Sequence, residues 1–253
     1  MTSVVYGGIV LVCLFGASML AMLLRDRLPQ NHLSDSSRDA IKLATAVVGT
    51  LAALALSLMI AQANTTFENA QAELKESAAK VVLLDRAMSR YGPETAEARK
   101  ILRELVETRL ATPWAETDED SGATSRIVHD RGVEPIQDEL RALTPATDSQ
   151  RWLIGRALEI TSELAEEHWM LVETRAEGLP LPFFAVMVFW LALLFGSFGL
   201  LAPTNMTVVV TIFVCVLSVA GAVFLLIDMA HPYRGLIFVS DAPLMTALAE
   251  LGR

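Results

Sequence analysis

Cysteine is nearly absent. Cys13 and Cys215, the only two in 253 residues, both sit inside apolar runs, where a thiol acts as a small apolar side chain. No disulfide or metal framework is expected from them. Aromatic residues make up 7% of a chain that is 53% hydrophobic, so the apolar content is aliphatic. Charge is missing altogether from residues 4–24, 181–201 and 207–227. An excess of basic residues is also lacking. The chain carries 20 Lys and Arg against 29 Asp and Glu, and residues 64–178 hold 23 of the acidic and 14 of the basic ones. That acidity argues against nucleic acid as a partner, and against docking of this middle segment on anionic lipid. No H-E-x-x-H, Gly-rich phosphate loop or G-x-S-x-G occurs, so no catalytic residue and no cofactor is assigned, and enzyme is the weakest class.

Long apolar runs take the place of what is missing. Each uncharged run has 21 residues, which cover about 31 Å as helix, the thickness of a bilayer's hydrocarbon core. Residues 41–63 form a fourth run, with Lys42 close enough to its end to snorkel to the interface. The first run has no basic stretch before it and is too long for a cleavable signal, so a retained span is expected. The expected class is an all-α membrane protein with four transmembrane helices and a soluble helical bundle between spans two and three. The boundaries are an N-terminal hairpin over 1–63 (spans 4–24 and 41–63), a soluble domain over 64–178, a C-terminal hairpin over 179–229 (spans 181–201 and 207–227) and an interfacial tail over 230–253. Membrane lipid is the first partner implied.

Span two repeats small residues at every fourth position: Thr45, Gly49, Ala53, Ser57 and Ala61. Such a row either lines a permeation path or lets helices pack closely, and periodicity alone favours packing. No breaker follows it, so the helix is expected to run on into the domain. There Phe67, Ala70, Leu74, Ser77, Val81, Leu84, Met88 and Tyr91 fall on heptad a and d positions, a seam for partner helices and a candidate oligomer contact. Gly92 and Pro93 should end it. Amphipathic helices are expected over 93–111, near 134–143 and over 148–177, the last capped by Thr147 or Asp148. Pro113 should stop the first of these, and residues 117–124 read as a solvated loop lacking calcium-hand spacing.

Two polar groups invite chemistry. Glu163, Glu166, Glu167 and His168 resemble di-iron donors, but the Glu-x-x-His spacing is absent, and a solvated helix face fits better. At the end of span four, Asp228, His231 and Arg234 lie three apart. An interfacial anchor or intersubunit salt bridge is the commoner role for such a cluster, and a lipid-processing site the rarer one. Asn205 or Thr204 should cap span four and Asp241 a short terminal helix. Basic residues near the span ends are balanced, with Arg25, Arg27, Arg38 and Lys42 on one side and Lys75, Lys80, Arg175 and Arg234 on the other, so they do not set sidedness.

Three stretches carry a resemblance: LPQNHLSDSSRDAIKLATAVVGTLAALALSL (28–58), LLDRAMSRYGPETAEARKILREL (83–105) and the C-terminal hairpin from Leu179 through DMAHPYRGLIFVSDAPLMTAL to Leu248. Together they resemble the bacterial bestrophin-like membrane family. The likeness extends remotely to bestrophins themselves: four spans, a helical cytosolic domain between spans two and three, and a pentameric anion channel lined by span two. It implies a multi-pass inner-membrane protein with the soluble domain and both termini in the cytoplasm, a homo-oligomer, small anions as the permeant species, and the Thr45 to Ala61 face on the pore axis. Span two lacks the aromatic and isoleucine-rich constriction of bestrophins, and their calcium-binding acidic clusters have no counterpart here. Selectivity and calcium gating therefore do not carry over. The alternative is a membrane-anchored interaction or stress-signalling protein that oligomerises through its helical domain without transport.

Overall fold

The computed structural model describes residues 2–25, 27, 35–111, 132–174, 181–233 and 235–252, and their regular structure is all helical. Helix α1 is Thr2–Arg25 and α2 is Asp35–Tyr91; after a 3-10 turn at Pro93–Thr95 come α3 (Ala96–Ala111), α4 (Glu134–Ala142) and α5 (Asp148–Thr174). Helix α6 is Leu181–Leu201, α7 is Met206–Met229 and α8 is Ala242–Glu250. Among the described residues four helices, α1, α2, α6 and α7, are long and apolar enough to cross a membrane, and the other helices lie between the second and third of them and at the C-terminus. The stop at Pro113 and the loop over 117–124 lie outside the described residues.

The chain divides into two compact units, 1–67 with 178–238 and 68–177 with 239–253. The tail expected over 230–253 is thus shared between them.

In the first unit α1 packs against both α6 and α7, which touch each other far less although four residues join them. Sequence explains the closeness. A Cβ on Gly7 would lie 3.1 Å from Phe224 Cβ, and one on Gly199 would lie 2.1 Å from Ser18 O, so glycine permits both crossings. Val10 and Leu14 of α1 share a core with Met187 and Phe195 of α6, Val216 and Val223 of α7, and Ala52, Met59 and Ala63 of α2. The Arg25 guanidinium donates to Ala202 O, tying the end of α1 to the α6–α7 turn. Asn205, one of the two expected caps, accepts from Val208 N at 2.9 Å and starts α7.

In the second unit α2 turns a corner at Gly92, whose φ of +140° suits glycine. Thr95, 1% exposed, closes that corner by donating to Met88 O at 2.7 Å. Helix α3 packs on α4 and α8, and α4 on α5. Thr147 caps α5, its Oγ1 accepting from Gln150 N (3.2 Å), while Gln150 Oε1 reaches back to accept from Ala146 N (2.9 Å), close to a capping box. Asp241 stands at the N-cap position of α8 but makes no capping hydrogen bond; Ser240 Oγ accepts from Ala242 N instead.

Candidate functional site

A helix turns about 100° per residue, so a row at every fourth position drifts about 40° per step and crosses nearly half the circumference in four. The small-residue row of α2 does this. Thr45 and Gly49 are half-buried, and a Cβ on Gly49 would come 2.8 Å from Leu194 Cδ1 of α6. Ala53, Ser57 and Ala61 are exposed. The face α2 gives to its own bundle is Ala52, Leu56, Met59 and Ala63, spaced alternately by four, three and four. Beside the row Thr65, exposed, donates its hydroxyl to Ala61 O (3.0 Å), the usual way a helix satisfies a threonine away from water.

Asp228, in the last turn of α7, is fully buried. It accepts from Ser3 Oγ at 2.6 Å, Leu236 N at 3.2 Å and Ile237 N at 2.7 Å. The three donors are shared between the two carboxyl oxygens, which have lone pairs enough to accept them all. Gly235 makes the approach possible. Its φ is +157°, and a Cβ there would fall 2.4 Å from Asp228 Oδ1. His231 is exposed and its ring bonds elsewhere, Nδ1 lying 2.8 Å from Ile227 O, so the tautomer protonated at Nδ1 makes this bond. Arg234 lies outside the described residues. Asp228 therefore anchors the start of α1 and the loop after α7. Ser3 is the partner that reading by local spacing misses, being 225 residues away. Span counting could have found it, since an even number of crossings returns the end of span four to the side where span one begins.

The seam residues of α2's outer half are covered within the single chain. Leu74, Val81, Leu84 and Met88 are 8%, 7%, 0% and 1% exposed, and Phe67 is half-buried. Their neighbours are pinned to helices of the same unit. Asp85, buried, takes both Arg99 Nε (2.7 Å) and Nη2 (3.1 Å) of α3, and also Gly252 N (3.2 Å). This contact holds the Arg99 guanidinium above its ordinary value. Ser77 Oγ donates to Glu167 Oε2 (2.7 Å), and Lys80 meets Glu167, Glu163 (3.1 Å) and Glu76 (3.2 Å). Hydrogen bonding to Glu167 pushes the Lys80 ammonium above its ordinary value. Partial burial, then Glu167 and Glu76, raise the carboxyl of Glu73. Glu163 and Glu167, weighed from the sequence as metal donors, are thus paired with a lysine, and Glu166 points to solvent. The His168 side chain lies outside the described residues. Among the described residues no group of three or more His, Cys, Asp or Glu is placed to hold a metal ion.

No curated protein and no solved structure matches the chain. A family model does, the bestrophin-like domain, over residues 12–244, which takes in α2, α6 and α7, the second half of α1, Asp228 and the helical unit between. By that match the chain belongs to the bestrophin-like family.

Proposed function

We propose that this protein is an oligomeric, bestrophin-like membrane channel that conducts small anions, with span two lining the path. One observation carries the reading. Within its membrane segment α2 leaves the small side chains of Ala53, Ser57 and Ala61 uncovered, on a face that no other described helix of the chain fills. A ring of copies would bring that face to an axis, where small and hydroxylated side chains leave room for an ion. The pentamer, the inner membrane and the cytoplasmic placement of the soluble unit follow from the family resemblance and belong to the same proposal. The family is not a catalytic one, which sets aside a lipid-processing role for Asp228, His231 and Arg234.

The test is chloride flux from liposomes holding the purified protein. Flux above that of empty vesicles is expected, and Ser57→Leu or Ala61→Leu, both at exposed positions, should lower it about tenfold or more. Equal flux with and without protein, or flux unchanged by both substitutions, removes the reading. Gly49→Leu is the poorer probe, because Leu194 already occupies its space. Reporter fusions after Arg253 test the sidedness.

A second reading, the membrane-anchored interaction protein, draws on Trp152 and Leu83, which are 68% and 50% exposed on the helical unit. Crosslinking of full-length protein through these positions to a defined second protein, with no ion flux, would favour it.

A further inference from the structure

Near their turn α6 and α7 part and leave a cavity of about 440 Å³. Phe198, Ala202, Val208, Thr211, Ile212 and Cys215 line it. The one hydroxyl among them, that of Thr211, donates to Thr207 O at 2.9 Å, so the lining offers water little to bond. Phe198, Thr211 and Cys215 are exposed, which opens the cavity to whatever surrounds the two helices. Around a hairpin of this hydropathy that is the acyl region of a bilayer. The rim is charged. Arg25 donates to the carbonyl of Ala202, itself a lining residue, and so stands at the mouth of the cavity. Arg27 is exposed two residues on, and Asp26 is the acid between them in sequence. Lys42, further along, is paired with Asp39 at 3.0 Å.

We propose that this cavity is a phospholipid site, holding one acyl chain between α6 and α7 with the lipid phosphate on Arg25. A guanidinium presents five donors in a planar fork that matches phosphate oxygens, and one donor spent on Ala202 O leaves it oriented for the rest. The end of a span is also the depth at which a headgroup phosphate lies. A dry groove with a cation at its mouth complements a phospholipid, which is apolar along its chains and anionic at its phosphate. This site is independent of any transport activity.

Cys215 serves as the reporter, because it lines the cavity and is exposed. In full-length protein carrying Cys13→Ala, alkylation of Cys215 by an apolar maleimide is followed in detergent with added dioleoyl phosphatidylglycerol or dioleoylglycerol. The two lipids share chains and differ in the phosphoglycerol headgroup, which carries the charge. Phosphatidylglycerol should slow alkylation at a concentration about tenfold lower than dioleoylglycerol requires, the worth of one charge-assisted hydrogen bond. Arg25→Gln should erase that difference, and Arg25→Lys should keep part of it. Equal protection by both lipids in the parent protein overturns the phosphate contact. Protection by neither, or protection that follows protein concentration instead of lipid, overturns the site, the latter by making the cavity a contact between copies.

Discussion

Asp228 and Gly235 show how much can rest on a single atom. A methyl at Gly235 would enter the space of the carboxylate and take a backbone conformation unsuited to it, so Gly235→Ala should lower stability by about 2–4 kcal/mol in a detergent melt. Ser3→Ala removes only one of three donors and should cost about 1 kcal/mol. Ser18 runs the other way. Its hydroxyl is fully buried and has no hydrogen-bond partner among the described residues, so Ser18→Ala should be neutral or stabilise by up to about 1 kcal/mol. Glu73 titrates with a definite sign. Its carboxyl holds its proton more tightly folded than unfolded, so it costs stability above its ordinary value of 4.5, and the cost is relieved as pH falls through the raised value. Glu73→Gln should therefore raise the melting temperature at about pH 8 and leave it unchanged at about pH 3, where both states are protonated. Of these residues only Asp228 stands out in the sequence. The others depend on partners brought near by folding.

At the scale of the element, α2 was readable in existence and extent. It runs without Pro or Gly from Thr50 to Tyr91 and stops where Gly92 and Pro93 stand. Its faces were not readable from the row of small residues, because a period of four slips around a helix of 3.6 residues per turn. The packing face instead follows Ala52, Leu56, Met59 and Ala63. The two faces should answer differently to the same change. Ala52→Leu, at a position 1% exposed, should destabilise by about 1–3 kcal/mol through overpacking, and Ser57→Leu should stay within about 0.5 kcal/mol. Melting of the two variants side by side in detergent checks this. Equal melting temperatures would mean that α2 does not pack as described.

The whole chain places its C-terminal residues with the helical unit, not with the span they follow. Leu244, Ala247 and Leu251 are buried, Arg103 Nη1 donates to Leu251 O at 3.3 Å, and Gly252 N–H donates to Asp85. Truncation after Phe238 should lower the melting temperature of the helical unit by several degrees and open α3 to hydrogen exchange. Asp85→Ala should do the same at a cost of about 2–4 kcal/mol, since it also strips Arg99 of its carboxylate. An unchanged exchange pattern at 96–111 in both variants would show that the tail adds nothing to the unit.

By itself the sequence determined the all-helical class, the four apolar helices, the long run of α2, its stop at Gly92 and the family. Each of these is written in local hydropathy, in breakers or in contiguous motifs, and none needs to know what lies across the fold. Only the tertiary structure decided that α1 is the helix on which α6 and α7 both pack, that Asp228 finds Ser3, that α2 turns Ala52 and Met59 inward and leaves Ser57 out, and that the tail closes the helical unit. In a bilayer the apolar pattern is nearly uniform around each span, since lipid and core are equally apolar. Helix partners are then chosen by close approach at glycines and by a few buried hydrogen bonds between residues far apart in the chain.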